Sequence, residues 1–211
     1  MFFMRVIGID PGTLCCGYGV IETGARVQGF KGSKNPDPEL AYVTSGEIRM
    51  KNTESLPERL KILYTALKNI IDEYTPAHLC IEKIFYHKSI HSAFALGTAR
   101  GIVMLLAAQN AIPVFEYNST ALKMALTGYG RAEKRQVKEM VIRILNLKNK
   151  QDSRIQEFKG SSRNKNLISS IDPSAPRPLD PLIITEDAAD ALALCICHIN
   201  HYSSGFKEGL K

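Results

Sequence analysis

The sequence predicts an α/β domain: a mixed five-stranded sheet with helices on both faces. Three observations carry that reading. A short β-branched run, Val6-Ile7-Gly8-Ile9, ends at Asp10 against Pro11-Gly12, and a second such run follows after a short turn. Ser55-Leu56-Pro57-Glu58 then opens a strongly periodic helix. Beyond it, β-type runs near His78 and Ile112 alternate with helical stretches. Antiparallel strands followed by β-α-β units place both kinds of pairing in one sheet.

In order, residues 4–10 read as the first strand and 17–23 as its hairpin partner. Residues 31–41, with Pro36 and Pro38, read as a loop, and a third strand is expected within 42–50. After the Ser55 cap, Leu60, Leu63, Tyr64, Leu67, Ile70 and Ile71 mark one helical face that ends near Thr75-Pro76. The fourth strand is expected over 78–84, a long helix over 89–110, the fifth strand over 112–117, and two shorter helices over 119–127 and 133–147. Residues 148–184 lose periodicity, with seven lysines and arginines against four acidic residues, and read as a flexible basic insertion. A last helix is expected from Thr185 to about Ser203. The whole of 1–211 is read as a single domain carrying that insertion.

Composition narrows the function classes. No apolar run approaches the ~20 residues that span a bilayer, and Met1-Phe2-Phe3-Met4-Arg5 lacks the pattern of a signal peptide, so a cytoplasmic protein is expected. A net charge of +6 and a pI near 9.0 favour an anionic partner such as nucleic acid. Five cysteines, two of them adjacent, do not form a disulfide framework. Cys195, Cys197, His198 and His201 spread around one helix and cannot converge on a zinc ion, so they read as buried thiols with a helix-terminal histidine.

Four carboxylates stand at unusual places. Asp10 ends a buried strand, where it either opens the turn through its own backbone or serves a site. Glu82 interrupts the apolar run Leu79-Cys80-Ile81, where a salt bridge to Lys83 or Arg100 is the plain alternative. Asp187 suits the first turn of a helix through the dipole, but Asp190, one turn further in among alanines, is less easily explained that way. Spacing places both on one helical face. With strands one and four adjacent at the sheet centre and the last helix across them, the four converge. Crowded carboxylates repel one another unless cations neutralise them. An oxygen-only ligand set favours Mg²⁺ or Mn²⁺. Two such ions ~3.5–4 Å apart suit phosphodiester hydrolysis.

The chain resembles the RuvC Holliday-junction resolvases, dimeric endonucleases with a ribonuclease H-like fold. The resemblance is carried by Gly8-Ile9-Asp10-Pro11-Gly12-Thr13 with Gly17-Tyr18-Gly19-Val20, Ile81-Glu82-Lys83-Ile84-Phe85 and Ala95-Leu96-Gly97-Thr98-Ala99-Arg100-Gly101. It continues through Pro113-Val114-Phe115-Glu116-Tyr117, Ala132-Glu133-Lys134-Arg135-Gln136-Val137 and Asp187-Ala188-Ala189-Asp190-Ala191-Leu192-Ala193. It implies that Asp10, Glu82, Asp187 and Asp190 are catalytic metal ligands, holding two Mg²⁺ ions for which Mn²⁺ can substitute. It further implies that Lys123 and Lys134 approach the DNA backbone and that Phe85 stacks on junction bases, with Lys88 and Arg100 as phosphate contacts. An exposed helix lysine and an ordinary core phenylalanine are the plain alternatives for Lys134 and Phe85. The implied partners are four-way junction DNA, a second copy of the chain, and the RuvA and RuvB branch-migration proteins. The implied activity is symmetric, metal-dependent cutting of four-way junctions in homologous recombination and DNA repair.

Two features depart from the family pattern: the 31–41 loop is longer than expected, and 148–184 replaces a short connection. The latter either covers the site, contacts DNA or is an inert insertion. A sugar-kinase or actin-like ATPase needs two domains and a second Asp-x-Gly-Thr turn. A ribonuclease H-like nuclease acting on RNA precursors is disfavoured by Asp187-Ala188-Ala189-Asp190-Ala191 and by the helix around Gly97-Arg100-Gly101.

Overall fold

The computed structural model describes residues 4–24, 40–83, 90–147 and 184–203. Strands β1 (Met4–Asp10), β2 (Cys15–Thr23) and β3 (Leu40–Arg49) come first, then α1 (Leu56–Tyr74), β4 (His78–Glu82), α2 (Ile90–Gln109) and β5 (Val114–Tyr117). Helices α3 (Ser119–Thr127), α4 (Lys134–Ile144) and α5 (Glu186–Ser203) complete the described elements. The sheet order is β3-β2-β1-β4-β5. The β1/β2 and β2/β3 pairs are antiparallel, and the β1/β4 and β4/β5 pairs are parallel, as the mixed pattern requires.

Side-chain alternation along β1 assigns the layers. Ile7 and Ile9 join Leu79 and Ile81 of β4 in a core with Leu63 and Leu67 of α1 and Val103 and Leu106 of α2. Val6 and Cys80 face the other way, into a core with Leu192 and Cys195 of α5, Leu122 and Leu126 of α3, and Val137 and Val141 of α4. Fully burying one such aliphatic side chain contributes roughly 1.5–3 kcal/mol, so each face is anchored many times over. Asp10 and Glu82 follow the even positions of their strands and therefore point to the α3–α5 side. The parallel pairing Ile9↔Ile81 sets them side by side at the two strand ends.

Glycine decides how closely α5 lies on the sheet. A Cβ on Gly8 would stand 2.0 Å from the Ala191 carbonyl oxygen, and one on Gly17 would stand 2.1 Å from that of Asp187. The Gly8 and Gly17 positions of the motif are thus seats for α5.

The local signals account for most boundaries. Ser55 and Glu58 form a capping box at α1, and Asn118 caps α3 by accepting from the Ala121 amide at 2.6 Å. Several expected limits need correction. β2 starts at Cys15, two residues early, because its ladder with β3 runs through Cys15↔Arg49. β3 starts at Leu40, inside the expected loop, through Thr23↔Leu40. β4 ends at Glu82 and β5 begins at Val114; Pro113 has no amide to donate, and Ile112 bonds back to Ala107 at 2.9 Å. α5 lies mainly across β1 and β2 rather than over β1 and β4. The expectations for 148–184 fall, apart from Ile184, outside the described residues, as do most of those for 31–41. Among the described residues, no helix is long and apolar enough to cross a membrane.

Candidate active site

The ends of β1 and β4 and the first turns of α3, α4 and α5 enclose an open cleft of about 290 Å³, lined by Asp10, Glu82, Ser119, Lys123, Lys134 and Asp190, with Leu122, Val137 and Leu194 as its apolar floor. Each polar side chain arrives by a local rule. Asp10 and Glu82 are strand-terminal and share a face. Asp190 sits one turn into α5, and Leu194 follows it at i+4 along the same wall. Ser119 and Lys123, also at i and i+4, come from α3. Lys134 is the first residue of α4.

Like charge and burial dominate this cleft. Asp10 is pushed up to about 7, first by burial and then by Asp190, Glu82 and Asp187. Burial also raises Glu82, opposed by a hydrogen bond with Ser119 and by the charges of Lys134 and Lys123. Lys134 Nζ lies 3.4 Å from an Asp190 carboxylate oxygen. That pair holds the lysine charged, yet Asp190 itself is raised, because burial outweighs a long ion pair. Two lysines do not discharge three crowded carboxylates, and hard oxygen donors with excess negative charge fit a divalent cation of the Mg²⁺ type.

Asp187 does not line this cleft. It lies at the β2 side, where Cys15 Sγ, a Glu47 oxygen and an Asp187 oxygen are all within 4.8 Å of one another. That trio is a possible metal-binding group, but its chemistry is poorer. Burial and the Asp187 hydrogen bond push the Cys15 thiol up to about 12, so it keeps its proton, and Arg49 already pairs Glu47 at 2.6 Å. The four carboxylates expected to converge therefore stand as three on the cleft and one beside it, close enough for Asp187 to be felt at Asp10.

The other expected residues divide. Lys123 and Lys134 line the cleft. Arg100, read as a phosphate contact, turns inward: it donates to the Glu82 main-chain oxygen at 2.8 Å and pairs with Glu116 at 2.6 Å. The alternative reading had it bridging the Glu82 carboxylate; the bond is to the backbone instead. Phe85 and Lys88 lie outside the described residues. Ser119 was not anticipated. Its signal was present, since Asn118-Ser119-Thr120 starts a helix directly after a parallel strand, where α/β sheets gather their sites.

The fold is ribonuclease H-like, with carboxylates at the ends of adjacent central strands and lysines facing them, and its family match places it among the nucleases. More specifically, residues 6–156 match the family model described as Crossover junction endodeoxyribonuclease RuvC, and the chain belongs to that family. It is 38% identical over 197 residues to the crossover junction endodeoxyribonuclease RuvC of Cupriavidus metallidurans, covering 93% of this chain and 84% of the relative. The Pelotomaculum thermopropionicum relative of the same name is 36% identical over 208 residues, 99% of this chain and 100% of its own length. Among solved structures, Thermus thermophilus RuvC superposes with a TM-score of 0.69 at 24% identity, covering 98% of this chain and all of that one. The same protein in complex with a Holliday junction substrate gives 0.68 at 24% identity, covering 98% of this chain and 99% of that one.

Proposed function

We propose that this chain is an endonuclease that resolves four-way DNA junctions by metal-dependent phosphodiester hydrolysis, in homologous recombination and DNA repair. The observation that carries the reading is the cleft itself. Asp10, Glu82 and Asp190 meet there with Lys123 and Lys134, in a chain similar along nearly its whole length to crossover junction endodeoxyribonucleases. Asp10, Glu82 and Asp190 would hold Mg²⁺, or Mn²⁺ in its place, as two ions, and Asp187 would join them on leaving its hydrogen bond with Cys15. Such ions, when bound, would supply the means to activate a water and to offset charge on the departing oxygen. The protein's own share is positional. Ser119 orients the Glu82 carboxylate, Lys134 steadies Asp190, and Lys123 and Lys134 attract the DNA backbone and offset charge growing on the phosphate. Phe85 and Lys88 complete the junction contacts in this reading.

Symmetric cuts in two strands call for two sites related by a two-fold axis, so the working unit is a homodimer. The outer face of α2 supports this: Phe94 is 71% and Leu105 48% exposed. They share an uncovered stripe with Gly97, Thr98 and Gly101, and a Cβ on either glycine would meet nothing within 4 Å. A single domain over 1–211 carrying a basic insertion, a cytoplasmic setting, and RuvA and RuvB as partners complete the proposal.

The test is strand cleavage of a synthetic four-way junction with Mg²⁺ or Mn²⁺, beside linear duplex and an RNA–DNA hybrid. Paired symmetric nicks in the junction alone are expected. Cutting of the hybrid instead would move the substrate to RNA and overturn the junction reading.

A further inference from the structure

We propose that Arg100 is a positioning residue for Glu82: a guanidinium clamp inside the protein that sets the end of β4. The inference rests on the junction-nuclease reading and extends it to a residue that makes no contact with the reacting atoms.

Three elements meet at this side chain. Arg100 comes from α2, donates through Nη1 to the Glu82 carbonyl oxygen at 2.8 Å, and pairs through Nη2 with Glu116 Oε1 of β5 at 2.6 Å. Glu116 stands opposite Ile81 in the β4/β5 ladder, one residue before Glu82. The clamp acts where β4 has left its pairing with β1 and is held by β5 alone on its ladder side. Among the described residues, pairing with β1 stops at Ile9↔Ile81, and the last ladder bond on the β5 side is Lys83 amide to Tyr117 oxygen at 2.8 Å. Arg100 thus holds the Glu82 main chain while Ser119 holds its carboxylate.

The same geometry argues against a phosphate contact. The Arg100 and Glu116 side chains are only 14% and 17% exposed, and each neutralises the other. Drawing the guanidinium out to a phosphate would strand Glu116, an uncompensated and largely buried carboxylate. Lysine cannot replace the planar fork that reaches both acceptors at once.

Arg100→Lys, Arg100→Gln and Glu116→Gln separate the two roles. For each variant, melting is recorded first, then junction affinity with its salt dependence in EDTA, then kcat against Mg²⁺ concentration. The clamp predicts a kcat lower by about 10–100-fold and a raised Mg²⁺ half-saturation in all three. It also predicts unchanged junction affinity and salt slope. Glu116→Gln is the sharpest arm, because a carboxylate is no phosphate ligand, and it stands in if Arg100→Gln fails to fold. Wild-type kcat and Mg²⁺ dependence in Arg100→Lys would overturn the proposal. So would weakened affinity with a salt slope smaller by about 1 in Arg100→Gln, the mark of a lost phosphate contact. The Mg²⁺ half-saturation is also read from the rise in Tm without DNA. If the wild type cuts no junction, the function reading fails. The clamp is then judged on that rise alone, and equal half-saturation in wild type and Arg100→Lys overturns it.

Discussion

In its first turns α5 carries Asp187 and Asp190 toward the ends of β1, β2 and β4; two turns after Asp190 it carries His198 onto β4 and β5. His198 is buried, yet its needs are met. Nδ1 lies 2.7 Å from the Tyr117 hydroxyl, and Nε2 lies 2.8 Å from His78 Nδ1. Burial pushes His198 down to about 4 and holds Tyr117 protonated, so the ring is neutral, with one nitrogen donating and the other accepting. Phe115 packs on it at 4.4 Å between centroids, and Cys195, one turn before, gives its thiol hydrogen to the Val6 and Gly19 carbonyls at 3.4 Å. The near half of the helix is the opposite: acidic, half-buried at the edge of the cleft, and short of cations. Groups that neutral partners can satisfy become structure. Groups left crowded with their own charge suit a cationic ligand, and on the proposed function the near half is the working end.

Breaking the near half should have the largest effect. Asp10→Asn or Asp190→Asn is expected to reduce junction cleavage about 1,000-fold or more, with binding retained. Residual cleavage near wild type would remove the distinction between the two halves. Moving the helix comes next. In Gly8→Ala the new methyl would collide with the Ala191 carbonyl, so α5 must lift, at a cost of about 3 kcal/mol in urea unfolding.

The far half should respond in stability alone. His198→Ala is expected to cost about 2–3 kcal/mol, from lost packing and an unpartnered Tyr117 hydroxyl, and Tyr117→Phe about 1 kcal/mol. Equal destabilisation by Asp190→Asn in metal-free protein would contradict the comparison.

The smallest effect sharpens it most. Asp10 binds its proton more tightly folded, at about 7, than in its ordinary range near 3.8, so its carboxyl favours folding below that range. The benefit is lost as pH rises through 7. Without divalent cations, Asp10→Asn should therefore melt above the wild type at pH 8, by about 5 °C, with no advantage at pH 4. Saturating Mg²⁺ should cancel or invert the difference. An Asn variant less stable than wild type at pH 8 in EDTA would show that Asp10 is not under electrostatic strain.

Much of this was legible in the residues. β-branched runs, a capping box and Pro-Gly stops are local signals, so the strand and helix order and the mixed sheet followed from them. Asp10, Glu82 and Asp190 were conspicuous because each breaks an apolar context. The helix-terminal histidine is His201, whereas the buried place of His198 is not legible, since a histidine four residues after Leu194 looks the same whether its face meets solvent or a tyrosine on β5.

What the chain alone determined, then, is the set of elements, the two-sided pattern that buries them, and the identity of the acidic residues. Register, helix seating and the direction of each long side chain were decided only in three dimensions. Arg100 could point to solvent or to Glu116, and Asp187 to the cleft or to Cys15, with no change in sequence pattern. The physical reason is that hydrophobic periodicity reports which face of an element is covered, whereas a polar side chain's partner depends on residues brought near by other strands and helices. Arg100 finds Glu116 only because β5 lies beside β4, and Asp187 meets Cys15 because Gly17 lets α5 settle against β2.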